Sequence, residues 1–334
     1  MTASTRTLAA FGAASLLFGG TFVATKFGLA FFPPLLFVAF RFDVAAVALA
    51  AYVVYAHRDA LVPRTRGDLA GILATGALSI GLTNALLFVG QQYASSAVAA
   101  VVFSLNPILT PVFAGLLLAE ERLSRRGAVG LLVGLLGVGL VVNPDPASFL
   151  AGGPGKLLVF AGAIAGALGS VLIRWADSDL SSSVRTAWGL PIGALLCHGL
   201  SLASGESLAA VAWTPQALLA LAYVGVFAGA IAYIAYFGLL DTTGAIRANL
   251  VFYLVPVVAT AGGWALLGET VTTLTVVGFL VVFAGFAVLG SDAVDADFDV
   301  DALAAALRER LPAGRRDDAL GVEFEDAPRG FESD

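Results

Sequence analysis

Long apolar runs, broken by charges, Pro-rich turns or short polar loops, fill the first 290 residues of the chain. The first set lies near 8–29, 35–55, 69–90, 97–118 and 127–142, and the second near 157–175, 184–203, 217–239, 245–267 and 274–289. About 20 apolar residues carry an α-helix across the hydrocarbon of a bilayer, and most of these runs reach that length. The fifth and tenth are shorter. The pattern predicts an all-α integral membrane protein with ten transmembrane helices. Lys26 interrupts the end of the first run, and no small-x-small cleavage site precedes Phe31-Phe32-Pro33-Pro34. The first run therefore reads as a retained helix rather than a signal peptide.

The two sets repeat one another. Val102-Phe103-Ser104-Leu105-Asn106-Pro107, running on to Leu117-Leu118-Ala119-Glu120, returns as Val251-Phe252-Tyr253-Leu254-Val255-Pro256, running on to Leu266-Leu267-Gly268-Glu269. Gly81, Gly90, Gly130 and Gly137 recur nearly in phase as Gly229, Gly238, Gly278 and Gly285. Duplicated apolar helices with prolines in mid-span are the pattern of a transporter built from internal repeats. We expect one repeat over 8–143 and the other over 156–290. Glycines at 127, 130, 134 and 137, and at 162, 166 and 169, recur on helix faces and read as close-packing positions, since lipid supplies no hydrophobic drive for helix association.

Charge orients the spans. With the N-terminus inside, the inner segments hold Arg6, Arg58, Arg64, Arg66, Arg122, Arg125, Arg126, Arg174, Arg185 and Arg247, whereas the outer loops hold only Lys156. Basic residues are retained on the cytoplasmic side, so both termini are expected there. An odd number of spans per repeat then inverts the second repeat relative to the first.

Composition agrees: the hydrophobic share is 59%, the charged share 13% and the mean hydropathy +0.91. Typical soluble domains carry about a quarter charged residues. The net charge of −6 misleads, because 291–334 holds thirteen acids against five arginines and the remainder is slightly basic. That acidic tail reads as largely disordered and cytoplasmic, with a short amphipathic stretch at Leu303, Leu307 and Leu311. No basic patch points to nucleic acid. A lone Cys197 excludes an internal disulfide, and His57 and His198 make no metal set, so neither metal nor cofactor is expected.

An ionisable side chain within the hydrocarbon is costly and is read first as functional. Lys26, Arg41 and Asp43 qualify. Lys26 has the alternative of snorkelling to the outer interface on its long stem. Arg41 lies deeper, and its guanidinium fork suits a carboxylate or a buried pair. Asp43 pairs with Lys26 or another helix, or titrates as a proton carrier. Asn84, Asn106 and Tyr253 add polar atoms to a candidate substrate cavity, with Tyr236, Trp188 and Trp264 as further wall candidates. Pro107 and Pro256 each remove a backbone hydrogen bond and are expected to kink the fourth and ninth helices. Asn106 either contacts substrate or recaps the carbonyls freed by Pro107. Glu120 and Glu269 close equivalent helices and read as structural.

These residues resemble a known family. Gly19-Gly20-Thr21-Phe22-Val23-Ala24-Thr25-Lys26, Phe40-Arg41-Phe42, Asn106-Pro107 through Glu120, and the copy from Pro256 to Glu269 are similar to the signature of EamA-type proteins of the drug/metabolite transporter superfamily. The resemblance covers roughly residues 8 to 290. It implies two inverted five-helix repeats that move a small metabolite by alternating access, commonly as an exporter. Phe18 stands where the family usually has Trp, and Asp43 is outside its pattern. A small-molecule substrate and the lipid bilayer are the implied partners, with proton or ion coupling an option; no feature specifies an oligomeric state. A carboxylate substrate such as an amino acid would suit Lys26 and Arg41. The main alternative, a membrane enzyme acting on a lipid or small molecule, lacks a nucleophile with its base. A retinal photoreceptor would need Lys26 as its Schiff base, and ten duplicated spans argue against that. No GxxxxGKT/S loop is present for nucleotide hydrolysis.

Single cysteines placed in a Cys197→Ala background test the orientation. Residues of the 58–66 loop should resist a membrane-impermeant thiol reagent applied from outside, and labelling there would overturn it.

Overall fold

The computed structural model describes residues 3–56, 61–118, 124–142 and 153–297. Arg58, Glu120, Arg122 and the tail beyond Asp297, including the Leu303–Leu311 stretch, lie outside the described residues. All regular structure among the described residues is helical. In chain order the helices are α1 (Ala3–Gly28), α2 (Pro34–Ala56), α3 (Arg66–Gln91), α4 (Ser96–Leu117), α5 (Arg125–Val142), α6 (Gly153–Trp175), α7 (Ser182–Ala203), α8 (Pro215–Thr243), α9 (Ala245–Leu267) and α10 (Thr273–Asp297). Eight of them are long and apolar enough to cross a membrane. α5 and α10 occupy the places of the fifth and tenth expected spans, and α10 holds a shorter apolar stretch, Thr273–Gly285.

The ends of these helices follow from local chemistry. Ser95, Ser181 and Thr214 each accept a hydrogen bond from a backbone N–H three residues on, satisfying donors that the helix cannot. Pro34 and Pro215 open their helices where a missing N–H costs nothing. Gly244 separates α8 from α9 at φ 84°, and Gly268 ends α9 at φ 68°, backbone that a side chain would strain. Compact packing extends to Leu289, and from Gly290 the α10 backbone continues to Asp297. That helix outruns the apolar run by several acidic residues, because extending an existing helix adds one bond for each residue fixed.

Four helices are irregular. α3 is π-helical over Ala74–Leu82 and α8 over Tyr223–Ile231, and the paired Gly81 and Gly229 sit in the two stretches. π-turns are rare, so their return at matched positions is a backbone counterpart of the sequence repeat. α4 is interrupted at Ser104 and Leu105, two residues before Pro107. The interruption of α9 falls at Leu250, and Pro256 lies inside the following segment, Val251–Leu267.

Side chains carry several helix ends across the bundle. Asp68 accepts from Arg64 N and Thr65 N with one oxygen, and from Ser178 Oγ, Asp179 N and Leu180 N with the other, just ahead of α7. Glu206 accepts from Leu35 N and Leu36 N at the start of α2. Glu269 accepts from Ser96 N at the start of α4. Each carboxylate thus belongs to one half of the chain and holds an N-terminal end in the other. Cations do the converse within a half: Lys26 Nζ donates to the Gln91 carbonyl that ends α3 and to the Ala94 carbonyl just past it, and Arg174 Nη1 to Asp241 O in α8. Negative groups at helix starts and positive groups at helix ends both suit the macrodipole.

Small residues close the remaining distance. A Cβ on Gly76 would stand 2.5 Å from Gly189 O, and one on Gly285 2.6 Å from Gly130 O, so α3 meets α7 and α5 meets α10 glycine to glycine. Gly162 and Gly169 of α6 lie similarly against Thr83 and Ser79 of α3.

Asp68→Ala should be the most damaging change at a helix end, because it strands five donors that now share one buried carboxylate. The loss should reach about 3 kcal/mol or more, since each abandoned donor carries a desolvation penalty. Thermal unfolding in nanodiscs should show a midpoint lowered by roughly 5 °C or more, and an unchanged midpoint would refute the bracing role.

Candidate functional site

α2 brings Arg41 into the middle of the helices, where it is 1% exposed and flanked along α2 by the buried Phe37 and Phe42. Its Nη1 donates to Asn84 Oδ1 of α3 at 2.7 Å, and its Nη2 reaches Ala228 O of α8 at only 3.5 Å. Nε has no hydrogen-bond partner in the protein. The guanidinium carbon lies 5.4 Å from the Phe42 ring centroid, 5.6 Å from Phe88 and 5.7 Å from Tyr233. Ring faces stabilise a desolvated cation by about 2 kcal/mol. Among the described residues no carboxylate pairs with it; Asp43, two positions on, pairs with His198 instead. A full positive charge is therefore buried with donor capacity left over.

Asn84 is fixed for its role. Its Nδ2 donates to Ile80 O at 2.8 Å and to Tyr233 Oη at 3.0 Å, which leaves Oδ1 facing Arg41. Ile80 lies in the π-helical stretch of α3 and Ala228 in that of α8, so both irregular segments present carbonyls to this network.

A cavity of about 50 Å³ opens beside these groups. Arg41, Ser79, Thr83, Asn84 and Asn106 line it together with Phe18, Thr21 and Phe22 of α1, and Tyr233, Tyr236 and Phe252 of the second half. One water needs roughly 10–15 Å³ of such space, so the cavity has room for a few water-sized groups. Phe18 anchors an aromatic cluster, edge-on to Tyr233 and Tyr236 and stacked on Phe252 at 5.9 Å. Asn106 Nδ2 donates to Ala163 O at 3.3 Å, and Thr110 Oγ1 back-bonds to Asn106 O at 2.8 Å, so the interrupted end of α4 is tied to α6.

Arg41, Asn84 and Asn106 thus meet at one cavity, while the other expected residues stand elsewhere. Lys26 caps α3 through the two carbonyls described above. Asp43 is 47% exposed and bonds His198 Nε2 at 2.9 Å on the outer side of α2. Tyr253 is buried outside the cavity lining, against Gly134 of α5, and its hydroxyl has no partner. Trp188 and Trp264 are exposed, whereas Tyr236 lines the cavity and donates to Asn249 Oδ1 at 2.7 Å. Tyr233, absent from the sequence-derived candidates, sits three residues before Tyr236, and that helical spacing was the available signal. Asn249 ends the first segment of α9, and its Nδ2 donates to Ser170 Oγ at 2.8 Å.

A helical membrane protein with a cavity walled by aromatic and a few polar side chains from both halves fits a transporter. Comparison with known proteins agrees: residues 6–143 and 153–291 each match the EamA-like transporter family, and the chain belongs to that family. It is 30% identical over 279 residues to the uncharacterized inner membrane transporter YedA of Escherichia coli, covering 80% of this chain and 86% of that one. An uncharacterized transporter of Archaeoglobus fulgidus is 26% identical over 272 residues, 80% of this chain and 92% of the relative. A solved crystal structure superposes with a TM-score of 0.67 at 20% identity, covering 86% of this chain and 98% of that chain, which supports the fold. The chain is a multi-pass membrane transporter and not an enzyme.

Asn84→Asp provides a test of the unpaired charge. The new carboxylate would stand at charge-assisted hydrogen-bond distance from Arg41 Nη1, where Asn84 Oδ1 now lies at 2.7 Å. Pairing should abolish flux in proteoliposomes, while the loss of the Nδ2 donor to Ile80 O and Tyr233 Oη offsets its gain in stability. Full flux would contradict the picture.

Proposed function

We propose that the chain is a secondary carrier for a small organic metabolite bearing a carboxylate, an amino acid or a related acid, and that it exports this solute by alternating access. The observation that carries the reading is Arg41, buried at 1% exposure with Nε unpartnered and no carboxylate of the described residues beside it. An anion at that point would satisfy the remaining donors and offset part of the desolvation cost of the charge. Ten spans, arranged as inverted repeats over 8–143 and 156–290 with both termini cytoplasmic, complete the proposal.

The geometry supports it in two ways. Both halves contribute walls to the cavity, so relative movement of the halves changes the site directly. Inverted repeats give the mechanism a natural switch, because exchanging the shapes of the two repeats turns one access state into the other. The cavity of about 50 Å³ is too small for a metabolite, so the proposed cycle requires a further state in which it is wider. Substrate would shift the balance between states only by its differential affinity for them. Asp43, His198 and Lys26 stand away from the cavity, which leaves Arg41 as its charged residue.

Arg41→Lys tests the reading, since Lys keeps the charge and loses the fork. The variant should insert and fold normally, while carboxylate flux into proteoliposomes falls about tenfold, equivalent to one lost charge-assisted bond. Wild-type flux would remove Arg41 from the substrate site.

A further inference from the structure

A second and larger space lies against the same helices. Between α1, α8 and α9 runs a groove of about 550 Å³, against about 50 Å³ for the cavity. Its walls are apolar, with Val23 and Val258 inside and Leu16, Leu219 and Leu266 at the rim. The rim residues are 60%, 71% and 77% exposed, so in a bilayer the groove opens toward the acyl chains. Tyr223, at its back, carries the one polar side-chain atom of the lining.

The Tyr223 hydroxyl donates to Leu17 O at 3.3 Å and rests against Gly20, on the spot where a Cβ would project. One helix separates the two spaces here: Gly20, Val23 and Ala24 of α1 face the groove, while Phe18, Thr21 and Phe22 face the cavity. Tyr223 also begins the π-helical stretch whose Ala228 carbonyl receives Arg41 Nη2. In a π-turn, residues five apart are bonded neighbours, so Tyr223 and Ala228 sit one above the other. The back of the groove is thereby one turn from the Arg41 site.

We propose that the groove holds the hydrocarbon tail of an amphipathic carboxylate whose head reaches Arg41 through the seam between α1 and α8, with the Tyr223 hydroxyl against Gly20 as the movable closure. The proposal rests on the assignment of Arg41 to the substrate anion, and it names the substrate class. With the cavity narrowed to about 50 Å³, the apolar groove of about 550 Å³ beside it is the space with room for a chain. A tail gains little by leaving lipid for an apolar wall, so the charge complementarity of Arg41 selects the ligand and the groove sets its depth and direction.

The test uses the full-length protein in nanodiscs of zwitterionic lipid, with thermal stabilisation reporting binding. Butyrate and dodecanoate should both stabilise the wild type, dodecanoate at the lower concentration. Ala24→Trp, which fills the groove, should raise the dodecanoate requirement about tenfold and leave the butyrate response unchanged. Leu266→Trp on the exposed rim is the second variant should Ala24→Trp fail to fold. Arg41→Gln should abolish both responses. Dodecanoate binding insensitive to both Trp variants would overturn the groove proposal alone, as would equal stabilisation by dodecyltrimethylammonium. Absence of any carboxylate response in the wild type would overturn the Arg41 assignment and this proposal together.

Discussion

The desolvated guanidinium of Arg41 sets the terms for everything around it. A charge removed from water costs several kcal/mol unless partners replace the lost hydration. Here the replacement is partial: one short hydrogen bond donated to Asn84 Oδ1, one long contact to Ala228 O, and three aromatic faces. Each of those groups is itself held, Asn84 by Ile80 O and Tyr233, and Ala228 by a π-helical stretch. The site is therefore pre-organised around a charge that it does not fully satisfy. That is the condition a carrier needs, since a site that fully satisfied its own cation would have nothing left to offer an anion.

Irregular backbone and crossed helix caps serve the same end. π-turns in α3 and α8 direct carbonyls toward the centre, and the interruption of α4 ahead of Asn106 does likewise for a polar side chain. Such backbone is tolerated at membrane depth where it faces protein or a cavity rather than lipid. Meanwhile Asp68, Glu206 and Glu269 tie helix starts in one half to residues of the other at the two ends of the bundle. The irregular backbone is thus concentrated around the Arg41 cavity, and the crossed caps sit at the helix ends.

Much of this was legible in the sequence, for reasons that can be traced. The helices follow from hydropathy because a spanning segment must satisfy its backbone internally. Arg41, Asn84 and Asn106 could be singled out because polar groups in apolar runs are costly, and the structure gathers all three. The same rule could not separate them from Lys26 and Asp43, since depth along a helix says nothing about which face a residue occupies or which carbonyls lie nearby. Lys26 meets the frayed carbonyls at the end of α3, and Asp43, two positions from Arg41, turns outward to His198. Tyr253 turns toward Gly134 for the same reason of phase. The π-turns shift that phase locally, and no pattern of residue types marks them. Glu269 at a helix end points to a structural role, and its bond from Ser96 N identifies the helix start that it holds.

The account is tested most directly by a structure of the protein with a transported carboxylate bound. The ligand carboxylate should lie against Arg41, with an oxygen at roughly 2.7–2.9 Å from Nε or Nη2, and with Asn84 still on Nη1. A carboxylate seated elsewhere, with Arg41 Nε still unpartnered, would contradict it.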